Sequence, residues 1–289
     1  MKRVRAEILS ARKLGAYHSL TLVAPEIAER ARPGQFLSVK MPEEREFLLR
    51  RHFFVHQASR RGGWAGTLEF AFDVAGPGTS FLSQTRAHRF LDVIGPLGKP
   101  FSYPKRLSNC LLIAEGHGAA PLYFLAQELL ARHKRVDMIV GGATFDAVFK
   151  PIEAKRLSQT VAIVTADGTL GDRGSVADVL AEAADRSGAE VVYAAASPEV
   201  SRRIAEFCIA RRLPAQMAVE ERMGCGVGLC HSCVVPVARK DGTGFDQQRA
   251  CLEGPVFDPA RVLWDRWLSQ APRTIAGAPE SVGEGSWSL

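Results

Sequence analysis

The sequence predicts a multidomain fold: an antiparallel β-barrel over residues 1–103, a doubly wound α/β domain over 104–216, a small cysteine-ligated domain over 217–267 and a flexible tail over 268–289. Three observations predict it. Short apolar or alternating runs separated by Pro and Gly turns fill the N-terminal part. Strand–helix alternation begins near Cys110. Four of the six cysteines gather between Cys225 and Cys251. At 289 residues and 46% hydrophobic content the chain can bury more than one core.

In the first unit, strands are expected at about 3–10, 18–23, 36–39, 53–56, 67–74 and 90–94. Pro33-Gly34, Gly62-Gly63, Gly76-Pro77-Gly78 and Gly95-Pro96 read as the turns between them. Several short strands at this spacing suggest an antiparallel barrel.

In the second unit, a strand at 111–114 leads into a helix whose Leu122, Leu125 and Leu129 share one face, with Pro121 near its first turn. Apolar runs at 136–140, 161–164 and 191–193 continue the sheet. Helices are expected at 176–183 and, with Ser197 as N-cap, at 200–210. Alternation of this kind forms a parallel, doubly wound sheet.

The formal charge is +6, but Lys and Arg are dispersed rather than gathered into one run, which argues against nucleic acid as a partner. A basic face suits an acidic protein or a dinucleotide equally well. The first fifteen residues lack the apolar core of a signal peptide, and no apolar run approaches the roughly 20 residues of a membrane helix. A cytoplasmic protein without a membrane span is therefore expected. In a reducing compartment clustered cysteines point to metal ligation rather than disulfides.

Cys225, Cys230, Cys233 and Cys251 follow the spacing C-x4-C-x2-C-x17-C. The first three match the spacing of plant-type 2Fe-2S proteins. A binuclear cluster needs four thiolates, and Gly226 and Gly228 let the loop bend until its N–H groups face the sulfurs. Structural zinc with four cysteines normally comes as two C-x2-C knuckles, and here only Cys230 and Cys233 form one. His231 reads as a solvent-side neighbour rather than a ligand, and Cys110 and Cys208 read as core residues.

The run Glu220-Glu221-Arg222-Met223-Gly224-Cys225 through Cys233, and the segment Cys251-Leu252-Glu253-Gly254-Pro255-Val256-Phe257, resemble the electron-transfer subunits of NAD-linked dihydroorotate dehydrogenases. They are also similar to the small subunits of NADH-dependent ferredoxin:NADP oxidoreductases, within the ferredoxin reductase superfamily. The resemblance extends to Leu49-Arg50-Arg51, Gly76-Pro77-Gly78-Thr79, Gly95 to Phe101 and Thr165 to Gly174. It implies an FAD-binding barrel, an NAD(P)-binding α/β domain and a 2Fe-2S domain.

By the same resemblance Arg51 contacts the FAD pyrophosphate, Phe53 and Phe72 lie with the isoalloxazine, and Gly78 with Thr79 approaches the phosphates. Gly116, Gly118, Pro121, Asp167 and Gly168 are assigned to the nicotinamide nucleotide. Read without the family, Arg51 is a surface cation and Gly76 to Thr79 a turn. The implied activity is that of an oxidoreductase subunit relaying electrons between NAD(P)H and a catalytic partner in a heteromeric complex, with a dihydroorotate dehydrogenase-like subunit one candidate. No catalytic acid or base is assigned, because the cofactors carry the chemistry.

The chain is a divergent member on three counts. Arg51-His52-Phe53-Phe54 stands where the family reads Arg-Pro-x-Ser. Glu115-Gly116-His117-Gly118 replaces a loop that opens on consecutive glycines, and Ala195-Ala196-Ser197 replaces Cys-Gly-Pro. These departures leave two rivals. One is a redox-sensing or electron-relay protein with a degenerate nucleotide site that takes electrons from another protein. The other is a zinc-stabilised interaction module.

Overall fold

The computed structural model describes residues 1–41, 47–60 and 62–270. Six antiparallel strands close a barrel in the order β1-β2-β5-β4-β3-β6. They are β1 (Lys2–Leu14), β2 (Tyr17–Val23), β3 (Phe36–Lys40), β4 (Arg51–Ser59), β5 (Thr67–Phe72) and β6 (Phe90–Leu97). Helices α1 (Pro25–Ala28) and α2 (Pro77–Ser83) sit in the connections. Inward-facing Ile8, Leu20, Leu37, Val55, Phe70 and Val93 fill the barrel, as strand alternation requires. The stretch read as a turn at Gly76 to Gly78 opens α2 instead: Pro77 suits the first helical position, and Thr79 Oγ1 accepts the Gly76 N–H at 3.1 Å.

The second sheet begins with β7 (Asn109–Glu115), β8 (Arg135–Gly142), β9 (Val161–Thr165) and β10 (Asp172–Arg173). It continues with β11 (Val191–Ala195) and β12 (Ala215–Ala218). A hairpin of β13 (Val234–Ala238) and β14 (Phe245–Arg249) follows, then β15 (Val256–Phe257), which joins the sheet. The order is β10-β9-β8-β7-β11-β12-β15, parallel throughout except for the β12–β15 pair. Strand order therefore reverses between β7 and β11, and such a switch point is where an open α/β sheet receives ligands.

Helix α3 (Ala119–Leu130) covers one face of this sheet, with Leu122, Leu125 and Leu129 buried. Helices α5 (Leu180–Ser187) and α6 (Pro198–Ala210) cover the other, α4 (Pro151–Leu157) follows β8, and α7 (Trp264–Gln270) ends the described chain. Helix α5 starts four residues later than the expected 176, because the Asp178 carboxylate accepts the Ser175 N–H at 2.7 Å and holds the preceding segment as a turn. Helix α7 runs three residues past position 267, and residues 271–289 of the expected tail lie outside the described residues. No helix among the described residues is long and apolar enough to cross a membrane.

A buried polar network joins barrel to sheet. His56, wholly buried in β4, contacts Ala120 O through Nδ1 (3.1 Å) and Lys150 Nζ through Nε2 (2.8 Å). Lys150 also reaches Glu69 of β5 at 3.1 Å. Burial pushes the His56 pKa down, so the ring is a neutral acceptor for Lys150 while its Nδ1–H donates to the carbonyl. The segment around β15 is clamped from the barrel side as well: a Cβ on Gly34 would lie 2.7 Å from Val256 Cγ2.

Candidate functional site: an arginine at a helix entrance, a switch-point loop and a four-cysteine loop

The first part lies where β4 begins and α2 opens. A Cβ on Gly78 would come within 2.7 Å of Arg51 Nε, so only glycine lets the guanidinium lie against the start of α2. Arg51 Nη1 donates to Leu49 O at 2.8 Å, which aims the group along the helix entrance. The Thr79 hydroxyl closes the turn, accepting from Ala75 N (2.9 Å) and Gly76 N and returning a bond to Gly76 O. Phe53 and Phe72 are in the barrel core: Phe53 is 8% exposed, stacked on Phe70 at 4.7 Å and 5.5 Å from Phe72.

The second part is the carboxyl edge of the α/β sheet. Beyond β7 the chain turns at Gly116, with φ +58°, into the Gly116–Gly118 turn and then α3, with Pro121 buried in its first turn. A Cβ on Gly118 would lie 2.7 Å from Ala195 O, so the loop packs directly on the end of β11. Glu115 Oε2 accepts the Ser197 N–H at 3.0 Å. The carboxylate from β7 thus holds the N–H of Ser197, the N-cap of α6, whose own side chain makes no cap. Asp167 and Gly168 lie on the loop after β9 at the same edge; the Asp167 carboxylate accepts from Thr169 N (3.0 Å) and Oγ1 (2.7 Å), which holds its pKa low.

His117 bridges this loop to the segment leading into the cysteines, Nε2 standing 2.7 Å from Glu220 Oε1. Burial lowers the His117 pKa, but the Glu220 charge and hydrogen bond outweigh it and carry it up to about 9. A folded chain thus keeps this proton up to about pH 9, whereas an unfolded one releases it near 6.5. The pair's stabilisation is full below pH 6.5 and lost as pH rises through 9. Glu220 is 60% exposed, so the pair contributes at most about 1 kcal/mol. The thermal midpoint of the wild type should exceed that of His117→Gln at pH 6, and the difference should vanish by pH 10.

The third part is the loop from Cys225 to Cys233. Its sulfurs meet backbone donors: Cys225 Sγ faces the N–H groups of Val227 (3.5 Å), Leu229 (3.3 Å) and Cys230 (3.4 Å), and Cys230 Sγ faces that of Cys225 (3.4 Å). Bonds with Ser232 pull the Cys230 thiol down to about 6, while burial pushes Cys251 up to about 12. Cys251 also hydrogen-bonds Cys233. The thiols therefore form two pairs, Cys225 with Cys230 and Cys233 with Cys251. Two pairs with N–H groups aimed at the sulfurs fit the four thiolates of a binuclear iron–sulfur cluster.

Arg249 pins the loop, donating to Gly228 O at 2.9 Å while its Nε holds Glu253 Oε2 at 3.0 Å. His231 is exposed and outside the pairs. Cys110 and Cys208, each 2% exposed, sit in apolar clusters where burial raises their thiols to about 11 and about 12.

His52, which sequence reasoning noted only as a departure from the family's proline, is the residue of β4 that meets this loop. Burial takes its pKa down to about 4, partly offset by hydrogen bonds to the backbone of Cys225 and Met223. Nothing in the local sequence pairs His52 with residues so distant along the chain.

A closed six-stranded barrel, a doubly wound sheet and a paired-thiol loop define an electron-transfer protein of ferredoxin reductase-like fold with an iron–sulfur domain. Residues 220–263 match the family model described as the iron–sulfur cluster binding domain of dihydroorotate dehydrogenase B. The electron transfer subunit of dihydroorotate dehydrogenase B (NAD(+)) from Desulforamulus reducens is 35% identical over 242 residues, 84% of this chain and 90% of that one. The subunit of the same name from Geobacillus thermodenitrificans is 33% identical over 90% of this chain and 98% of its own. A solved structure of the NADH-dependent reduced ferredoxin-NADP oxidoreductase, described in terms of flavin-based electron bifurcation, superposes with a TM-score of 0.76 at 26% identity, covering 92% of each chain. The ferredoxin reductase of carbazole 1,9a-dioxygenase shares the fold alone, at a TM-score of 0.61, 18% identity and coverage of 74% of this chain and 67% of its own. The chain belongs to the family of dihydroorotate dehydrogenase B electron transfer subunits.

Proposed function

We propose that this chain is a cytoplasmic flavin and iron–sulfur subunit that relays electrons between NAD(P)H and a catalytic dihydroorotate dehydrogenase subunit. The observation that carries the reading is the paired-thiol loop packed against the strand that Arg51 begins, in a chain related over most of its length to named electron transfer subunits. That kinship favours it over a redox sensor with a degenerate nucleotide site.

When bound, FAD supplies the conversion of a two-electron hydride into single electrons, which a 2Fe-2S cluster can take. The chain's own residues bind and orient. Arg51 pairs with the FAD pyrophosphate, Gly78 gives it room, and Thr79 keeps the α2 entrance open by closing the turn before it. Phe53 and Phe72 form the apolar wall behind the isoalloxazine. Gly116, Gly118 and Pro121 set the start of α3 toward the nucleotide pyrophosphate, and Asp167 with Gly168 marks the far end of that site. Cys225, Cys230, Cys233 and Cys251 hold the cluster, and the loop N–H groups stabilise its negative charge.

Glu115 places a carboxylate at the nucleotide site. Glu115→Gln keeps an acceptor for the Ser197 N–H and removes the charge. The KM for the preferred nucleotide should fall about fivefold, on the order of 1 kcal/mol. Steady-state assays with an artificial acceptor check this; an unchanged or higher KM would show that the charge does not face the nucleotide.

The reading is tested by mixing the purified chain with the catalytic dihydroorotate dehydrogenase subunit of the same source. Co-elution as one complex, with NAD(+)-dependent dihydroorotate oxidation that neither component shows alone, is the expected outcome. Separate elution without that activity would refute the pairing.

A further inference from the structure

His52 stands between the strand assigned to the flavin and the loop assigned to the cluster. It follows Arg51 in β4, and its backbone pairs with Ser38 of β3. On the barrel side Ser38 Oγ lies 3.3 Å from Nε2, and Phe36 packs edge-on with ring centroids 5.7 Å apart. On the other side the imidazole meets the cysteine loop at Gly226, the residue next to Cys225. Gly226 makes room for it: φ is +71°, and a Cβ there would collide with Nε2. One ring is thus held by the barrel and seats the loop backbone beside Cys225, a member of the four-thiol set.

We propose that His52 is a positioning residue that anchors the cysteine loop to the flavin strand, so that it sets both the flavin-to-cluster separation and the surroundings of Cys225. The inference rests on the assignment of flavin to β4 and of a cluster to the four cysteines. Electron tunnelling falls steeply with distance, so a loop seated on the strand through a rigid ring keeps one separation, whereas an unseated loop samples several. The tied backbone also carries the dipoles around the Cys225 sulfur, and hydrogen bonding near a cluster is one of the protein's means of setting its potential.

Two substitutions in the full chain separate packing from anchoring. His52→Phe keeps a ring and loses the ring nitrogen that faces Ser38 and Gly226, while His52→Gln keeps a side-chain N–H. Flavin and iron content are measured first, then the midpoint potential of the cluster by EPR-monitored titration, then the rate of cluster reduction after rapid photoreduction of the flavin. The expected result is a cluster in both variants, with flavin-to-cluster transfer slowed about tenfold and the potential displaced in His52→Phe, and both restored toward wild type in His52→Gln. Loss of the cluster from His52→Phe alone supports the same role. If the two variants behave alike, both as wild type or both impaired, the anchor does not exist. A wild-type chain lacking flavin or iron would instead refute the underlying cofactor assignment, and the role of His52 with it.

Discussion

Cys225→Ser and Cys251→Ser should each lose the cluster, with iron content falling more than about tenfold, whereas Cys110→Ser and Cys208→Ser should retain it. The contrast follows from where the six thiols lie. Cys225 receives three backbone N–H groups and pairs with Cys230, and Cys251 pairs with Cys233, so each serine removes one member of a pair. Cys110 and Cys208 lie in separate apolar clusters, away from the four-cysteine loop. Their replacement by serine buries a hydroxyl and costs stability, about 1–3 kcal/mol, without touching the metal. Metal analysis and the visible spectrum read the first effect, and thermal unfolding reads the second. Zinc in place of iron in the wild type would overturn the assignment.

Arg51→Ala should weaken FAD binding about 30- to 100-fold, roughly 2–3 kcal/mol, the value of charge-assisted hydrogen bonds to a phosphate. Gly78→Val acts in the same direction by a different route. The new side chain meets the guanidinium, whose Nε lies 2.7 Å from the added Cβ position, and pushes it from the α2 entrance. Both proteins should release flavin on dilution, seen as rising free-flavin fluorescence, while the cluster signal persists. Retained flavin in both variants would place the pyrophosphate elsewhere.

Much of this architecture is legible in the sequence because it repeats a period. The barrel strands alternate and the sheet strands are continuous apolar runs, so both classes of strand stand out. What escapes is what lacks a period or depends on distant partners. Helix α2 hides behind Gly76-Pro77-Gly78, residues that punctuate turns as readily as they open helices. Strand β14, Phe245–Arg249, carries a single apolar residue, and β15 is two residues long, held by pairing with β12 rather than by its own composition. The site divides in the same way. The cysteines are readable from spacing, but the Glu115 bond to Ser197 spans 82 residues and the contact of His52 with the cysteine loop spans far more. Glu115 therefore reads from sequence as a misplaced charge, while in the fold it serves the end of α6.

The account's central claim is that electrons pass between a nicotinamide nucleotide, a flavin and a cluster on this one chain. An anaerobic visible spectrum of the purified protein, taken before and after NADH and then NADPH, tests it most directly. The account predicts overlapping flavin and iron–sulfur bands that bleach with one of the two nucleotides. The same bands left unchanged by both nucleotides, and bleached only when dithionite is added, would contradict it and show that electrons enter this chain from a protein.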